Sequence, residues 1–174
     1  MVMPEVADRS VRATKKMIEV STYQYRRRLP HFQKADRPAF VTFRKLSREP
    51  MSEAARDLVL QHCLYEHGRR IKLHAAAVMP DHVHLLFTPL QDEEGWAVPV
   101  YKTLKAIKGT SGRDVNKLLN LDGPFWQDES FDHVLRSEES LREKISYIRM
   151  NPVRKGLVST PEQYRWLWVE AGWD

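Results

Sequence analysis

The sequence predicts a mixed α+β domain in which an antiparallel sheet packs against helices. Short runs rich in β-branched and aromatic residues alternate with longer segments whose apolar residues recur at helical spacing. The 174 residues suffice for one domain with a hydrophobic core, and 42% hydrophobic against 29% charged residues is an ordinary globular balance.

The first half of the domain is predicted to contain a strand, a helix and a hairpin. Residues 39–44, AFVTFR, have the composition of a strand. Residues 52–68 form a helix between a serine N-cap and a glycine stop. Residues 71–79 and 82–88 are two further strands, and the Pro80-Asp81 turn between them makes them hairpin partners.

The second half is predicted to contain a long helix, a strand and a third helix. The long helix covers residues 100–119 and could bend or break at its two glycines. Residues 131–136 form the fourth strand. The third helix covers residues 137–151 and ends before Pro152, because the residue preceding a proline disfavours helix.

This order of elements predicts the ferredoxin-like split βαβ plan. That plan is a four-stranded antiparallel sheet with helices on one face, here followed by one more helix at the C-terminal end. The domain is expected over residues 36–160, with a basic N-terminal extension at 1–35 and a short C-terminal tail at 161–174.

The net charge of +5 is concentrated at the N-terminal end. Residues 1–50 hold 12 Lys and Arg against 5 Asp and Glu, whereas the remainder is slightly acidic. A basic arm favours a polyanionic partner such as nucleic acid, although a solvated arm is an equal alternative. No secretory signal, membrane-length apolar run or cysteine pair is present, so we expect a cytoplasmic protein with no membrane partner.

His82 and His84 are candidate metal ligands in the predicted third strand. Residues two apart in a strand point to the same face, so the two imidazoles could share one ion while Val83 enters the core. On the residues alone, two polar side chains on a solvent-facing strand explain the pair better.

Tyr147 and Asn151 are neighbours on one face of the predicted third helix, because they are four residues apart. The Asn151 carbonyl oxygen is a suitable ligand for Mg²⁺ or Mn²⁺, and Tyr147 offers a phenol. A buried aromatic and an ordinary cap before a proline would explain the same pair. His133, inside the predicted fourth strand, is interpreted as structural.

Basic residues at helical spacing give candidate contacts to a DNA backbone. The candidates are Lys105, Lys108 and Arg113 on the second helix, and Arg149, Arg154 and Lys155 around Tyr147. Such residues could neutralise phosphates, although a charge run is usually a solvated helix face.

Three blocks in this order are AFVTFR, HAAAVMPDHVHLLFTP and FWQDESFDHVLRSEESLREKISYIRMNPVRKGLV. Together they resemble the HUH single-tyrosine transposases of the insertion-sequence type, in particular the REP-associated tyrosine transposase branch, over roughly residues 30–165. The MPDHVHLL block followed by the YIxxNPVRxGLV block is far more specific than either block alone.

The resemblance implies a metal-dependent DNA strand transferase. It implies that His82 and His84 bind the divalent metal, that Asn151 is the third ligand, and that Tyr147 is the nucleophile. The implied substrates are single-stranded DNA hairpins or palindromic repeats, which are cleaved and rejoined through a 5′-phosphotyrosine intermediate by a monomer or homodimer. The expected cofactor is Mg²⁺ or Mn²⁺.

Three other functions remain open. The main alternative is a DNA-binding protein of the same fold that does not cleave. An RNA-binding module is disfavoured because no row of stacking aromatics is evident on one face of the predicted sheet. A structural metal site is disfavoured because a closed zinc site needs four protein ligands.

Overall fold

The computed structural model describes residues 37–135 and 137–173 and confirms the α+β class. The predicted N-terminal extension lies outside the described residues. The strands are β1 (Ala39–Lys45), β2 (Ile71–Val78), β3 (His82–Pro89), β4 (Trp126–Val134) and β5 (Leu167–Val169). The helices are α1 (Glu53–Tyr65), α2 (Val100–Leu119) and α3 (Glu138–Arg154), and a 3₁₀ helix covers Pro161–Gln163.

The strands form one antiparallel sheet in the order β4-β1-β3-β2-β5. The prediction of four strands falls one strand short, because β5 has only three residues and is too short to show an alternating pattern. β5 lies at the edge beside β2, where Trp168 pairs with Ala76. The segment predicted as a C-terminal tail therefore contributes a strand to the sheet.

The helices α1 and α2 lie side by side on one face of the sheet. The His62 side chain of α1 bonds to Asp114 of α2 at 2.8 Å. On this face Phe43 packs edge-on against Trp126, whose indole N–H donates to Ser111 of α2 at 3.1 Å. The hydrophobic core lies between these two helices and the sheet, and it also includes Ile145 and Ile148 of α3.

The helix α3 lies on the opposite face. Cross-strand partners share a face of a sheet, so Thr42 of β1 and its partner His84 of β3 point away from α1 and α2. Asn151 of α3 bonds to His84, which places the C-terminal half of α3 over this face. None of the helices in the described part of the chain is both long and apolar enough to cross a membrane.

Two features of α2 and β4 differ from the sequence prediction. α2 runs unbroken through Gly109 and Gly112, and β4 begins at Trp126 rather than at residue 131. A Cβ added to Gly112 would lie 3.3 Å from Trp126 Cδ1, so this glycine permits a close approach of helix and strand. The contact depends on the tertiary fold, which explains why the local pattern suggests a helix break instead.

Pro152 does not end α3, contrary to the prediction. The helix continues to Arg154, because a proline in the last turn removes one helical hydrogen bond without preventing the turn from closing. The Lys155 N–H donates to the Asn151 carbonyl at 3.0 Å, and the Leu157 N–H donates to the Pro152 carbonyl at 3.0 Å. The additional turn brings Arg154 to the side of the helix that carries Tyr147.

Candidate functional site

The β2–β3 hairpin places His82 and His84 together at the start of β3. The chain reverses at Pro80 and Asp81, and the Met79 N–H donates to the His82 carbonyl at 2.8 Å. Both histidine side chains are buried on the α3 side of the sheet, and their Nε2 atoms are 3.1 Å apart. The strand period therefore aims both rings at one point, as the sequence predicts.

The opposite ring nitrogen of each histidine has its own partner. His82 Nδ1 donates to the Asp81 carboxylate at 2.6 Å, and His84 Nδ1 lies 2.8 Å from the Thr42 hydroxyl. A carboxylate only accepts, so neutral His82 carries its proton on Nδ1 and a lone pair on Nε2. His84 has the same arrangement when its Nδ1–H donates to Thr42. Such partners on the far nitrogen are typical of metal-binding histidines.

Burial keeps both imidazoles neutral. Desolvation lowers the pKa of His82 and lowers that of His84 to about 3, and the nearby His82 and Arg44 also disfavour a charge on His84. At neutral pH both rings are therefore uncharged. A neutral ring is the form that can donate a nitrogen lone pair to a cation.

Asn151 completes the cluster from α3. Its Nδ2 donates to His84 Nε2 at 2.9 Å, and the side chain is only 4% exposed. Its Oδ1 is buried and has no hydrogen-bond partner among the described residues. Burying a polar atom without a partner costs free energy, so a hydrogen-bond donor or a cation is expected beside this oxygen. Rotating the amide by a half turn would direct the oxygen towards His84 Nε2.

This donor set fits a divalent metal ion. Two ligands about 2.1 Å from one ion and at a right angle lie about 3.0 Å apart, which matches the 3.1 Å between the two Nε2 atoms. Across residues 37–135 and 137–173, no group of three or more His, Cys, Asp or Glu is arranged to hold a metal. Two histidines and an asparagine would leave positions open for water or substrate, as in catalytic rather than structural sites.

Tyr147 lies one helical turn before Asn151, beside the histidines. Its ring is 5.6 Å from the His84 ring and 5.8 Å from the Phe40 ring, both edge-on. The side chain is 38% exposed, so a large substrate could reach it. Arg154 lies 4.5 Å over the same ring and donates to the Tyr147 backbone carbonyl at 2.6 Å.

Positive charge surrounds the cluster. Lys144 Nζ lies 5.5 Å from the Tyr147 ring, and Arg44 pairs with Asp81 at 3.0 Å. Arg154 and Lys155 are close enough to lower the pKa of the histidines, after the larger effect of burial. A rim of this sign attracts phosphates.

The other predicted DNA contacts lie elsewhere. Lys105 and Arg113 are exposed on α2, across the sheet from Tyr147. Lys108 donates to the carbonyls of Gln127 and Asp128 at 2.7 and 2.9 Å, and so ties α2 to β4.

Arg149 lies two residues from Tyr147 and points to a different side of α3. It donates to Glu162 at 2.7 Å. Of the six predicted backbone contacts, only Arg154 and Lys155 are therefore brought to the cluster.

Sequence reasoning missed the residues that support the cluster. Thr42, Phe40 and Lys144 become neighbours of His84 or Tyr147 only through strand register and helix docking, for which the sequence carries no local signal. Asp81 is adjacent to His82 in the chain, but as a turn residue it was not distinguished from an ordinary Asp.

The chain is similar in sequence to two curated transposases. A putative REP-associated tyrosine transposase of Haemophilus influenzae is 24% identical over 95 residues, 52% of this chain and 54% of that protein. The REP-associated tyrosine transposase of Escherichia coli is 24% identical over 102 residues, 58% of this chain and 56% of that protein. The chain thus spans about half the length of the curated relatives it matches.

A solved structure of a REP-associated tyrosine transposase bound to a REP hairpin shares the fold. The TM-score is 0.61 at 18% identity, and the match covers 76% of each chain. A family model described as "Transposase IS200 like" matches residues 41–151, which span β1 to Asn151 and include both histidines and Tyr147. The chain belongs to the family of IS200-like transposases.

Proposed function

We propose that this chain cleaves and rejoins single-stranded DNA at hairpins or palindromic repeats, with Tyr147 as the nucleophile. The observation that carries the proposal is one cluster: two Nε2 atoms 3.1 Å apart, a buried Asn151 amide that bonds to His84 at 2.9 Å, and the Tyr147 ring 5.6 Å from His84. The substrate class is supported by the relatives, one of which is bound to a REP hairpin.

The proposed reaction is a transesterification. The Tyr147 oxygen attacks a DNA phosphorus and forms a P–O bond, while the bond from that phosphorus to the 3′ oxygen breaks. The Tyr147 proton leaves to solvent, and the released strand carries a 3′-OH after it takes up a proton. An incoming 3′-OH reverses the step and rejoins the DNA. No water is consumed, so the ester bond is conserved for rejoining.

We propose that Mg²⁺ or Mn²⁺ is held by the Nε2 atoms of His82 and His84 and by the side-chain oxygen of Asn151. When bound, the ion supplies Lewis-acid stabilisation of charge on the phosphate oxygens. Asp81 and Thr42 hold the two rings in position through the far nitrogens. The rigid hairpin and α3 thereby fix the phosphate near Tyr147, and such positioning lowers the barrier.

Arg154, Lys155 and Lys144 are proposed to bind the phosphates that flank the scissile one. All three are near Tyr147 or the histidines, and their charge favours a polyanion. Lys105 and Arg113 could contact DNA only on the other face of the sheet. Lys108 would have to give up its bonds to β4.

The test is incubation of the full chain with end-labelled hairpin DNA and Mn²⁺ or Mg²⁺. We expect a covalent protein–DNA adduct that persists in denaturing electrophoresis without protease treatment. The adduct should form only when the metal is present, and Tyr147→Phe should not form it. Phe keeps the packing against Phe40 and removes only the hydroxyl.

Binding without an adduct, across hairpins with varied flanking sequence, would instead establish a DNA-binding protein that does not cleave. An adduct that persists in Tyr147→Phe would show that another residue is the nucleophile.

A further inference from the structure

In the described part of the chain, the sheet face that carries the candidate site has an open part at β4. On this face α3 packs over β2, β3 and β5. The side chains of β4 alternate between partly buried and exposed from Ser130 onward, and the exposed positions are Phe131 and His133. Phe131 is 62% exposed. His133, interpreted as structural from the sequence, has an exposed side chain.

Strand register places these two residues on the same face as the histidines. Phe131 pairs with Thr42 across β4 and β1, and Thr42 pairs with His84 across β1 and β3. Neighbouring strands are about 4.8 Å apart, so the Phe131 backbone lies about 10 Å from that of His84. This is about the length of one or two nucleotides in an extended strand.

A second row of rings links the open part to the nucleophile. His133 pairs with Phe40. Phe40 stacks on His84 at 5.6 Å, with planes 23° apart, and meets Tyr147 edge-on at 5.8 Å. Lys144 Nζ lies 5.1 Å from the Phe40 ring. Phe40 itself is buried at 6% exposure, so the rings that a nucleotide strand leaving the site towards β4 could reach are those of Tyr147 and Phe131, with Lys144 beside the first.

The spacing of the two exposed rings suits a nucleobase. Residues two apart in a strand are about 7 Å apart, and stacked bases follow one another at about 3.4 Å. Two rings at this spacing leave room for one flat base between them. A solitary exposed phenylalanine needs no explanation, but here a large apolar ring occupies the solvent side of an edge strand, on the face of the sheet that carries His84 and the cations near Tyr147.

We propose that Phe131 and His133 form a stacking platform that holds one unpaired base next to the phosphate attacked by Tyr147. The inference rests on the proposed function and adds to it how an unpaired strand is distinguished from a duplex. A paired base has both faces stacked on its neighbours and cannot enter the platform. Stacking accepts any base, so the platform selects for single strands rather than for a sequence.

The test is binding of hairpins in which 2-aminopurine replaces one unpaired base at a time. We expect quenching of its fluorescence at one position beside the cleavage site. The variant Phe131→Leu, which keeps an apolar side chain of similar size, should lose this quenching and bind the hairpin ~5-fold more weakly or worse, the range for loss of one stacked base. Phe131→Trp should restore both.

Two controls isolate the platform. Trp96 is an exposed aromatic, at 71%, in the loop after β3 and hence at the far end of that strand from His82. Trp96→Leu should leave quenching and affinity unchanged. Affinity for a blunt duplex without unpaired bases should be the same for Phe131→Leu and the unsubstituted chain.

The platform is overturned if Phe131→Leu binds and quenches like the unsubstituted chain, or if Trp96→Leu loses as much. Neither readout requires cleavage. Adduct formation with no effect of Phe131→Leu overturns this inference alone, whereas quenching that depends on Phe131 without any adduct overturns only the proposed cleavage.

Discussion

At the scale of single residues, the chemistry of the site depends on which nitrogen of each histidine is free. Asp81 and Thr42 are the partners of the Nδ1 atoms, so the two Nε2 atoms face each other, and that of His84 also bonds to Asn151. Spacing makes the two histidines, Tyr147 and Asn151 candidates, and the resemblance to the transposase family implies their roles. The sequence could not predict Thr42, because the contact joins residues 42 positions apart and exists only through strand register.

Replacing Thr42 tests whether the far-nitrogen partner matters for metal binding. Thr42→Val keeps the shape but removes the hydroxyl that lies 2.8 Å from His84 Nδ1. We expect Mn²⁺ affinity to fall roughly 10-fold to 100-fold, the range for loss of such a partner. Thr42→Ser keeps the hydroxyl and should bind almost normally. Calorimetric titration measures both, and equal affinities for Val and Ser would contradict the role given to Thr42.

Two arginines of α3 form a matched pair for the proposed DNA contacts. Arg154 lies over the Tyr147 ring, whereas Arg149 pairs with Glu162 on another side of the helix. We expect Arg154→Gln to weaken hairpin binding by about 10-fold, since a hydrogen bond to a charged group contributes about 1.5 kcal/mol or more. Arg149→Gln should change it little. Fluorescence anisotropy measures the affinity of both variants for the hairpin. A larger loss of affinity for Arg149→Gln than for Arg154→Gln would show that the DNA binds on the other side of α3.

At the scale of elements, α3 and the β2–β3 hairpin provide the predicted metal ligands and the proposed nucleophile, Tyr147. The helix periodicity needed to place Tyr147 beside Asn151 is local and was predictable. The end of α3 was not, because the general effect of a proline on the preceding residue is overridden within the last turn. β4 was predicted too short because its first residues are fixed by packing on α2, as Trp126 shows.

Two glycines of α2 should respond oppositely to alanine. Gly109 has no atom within 4 Å of an added Cβ, so Gly109→Ala should raise the free energy of unfolding by about 0.5–1 kcal/mol through helix propensity. Gly112→Ala would press against Trp126, which is buried and bonded to Ser111, and should lower it by about 1–3 kcal/mol. Urea unfolding measures both, and stabilisation by Gly112→Ala would contradict the close contact.

His74 lies at the β-bulge of β2 and bonds to Glu170 in the C-terminal segment. Its burial leads us to expect that the fold is sensitive to acid. His74 is buried between Glu170 at 3.1 Å and Thr88 at 2.8 Å, and burial lowers its pKa from the ordinary value of 6.5. His74 then binds a proton more tightly in the unfolded chain than in the folded one. The free energy of unfolding is therefore highest above pH 6.5 and falls as the pH drops below that value.

His74→Gln should reduce this dependence without abolishing it, because the pKa values of His82 and His84 are also lowered. Urea midpoints between pH 7.5 and 5.5 report the effect. If the urea midpoint falls more steeply with decreasing pH in His74→Gln than in the unsubstituted chain, His74 does not cause the acid sensitivity.

At the scale of the whole molecule, the two faces of the sheet have different roles. One face packs against α1 and α2, and the other combines α3, whose Ile145 and Ile148 belong to the core, with an open area at β4 in the described part of the chain. The fold class and element order were predictable from periodicity. The fifth strand was not, and Phe131 and His133 correct the expectation that stacking rings are missing from one face of the sheet. Short edge strands and surface exposure depend on what covers them.

Peptide mapping of the covalent product tests the central claim most directly. The adduct formed with hairpin DNA and Mn²⁺ is digested with nuclease and protease, and the peptides are sequenced by mass spectrometry. The account predicts a nucleotide joined through its 5′ phosphate to the hydroxyl of Tyr147, with a free 3′-OH on the released strand. A nucleotide on any other residue, or a 3′-phosphate linkage to Tyr147, would contradict it.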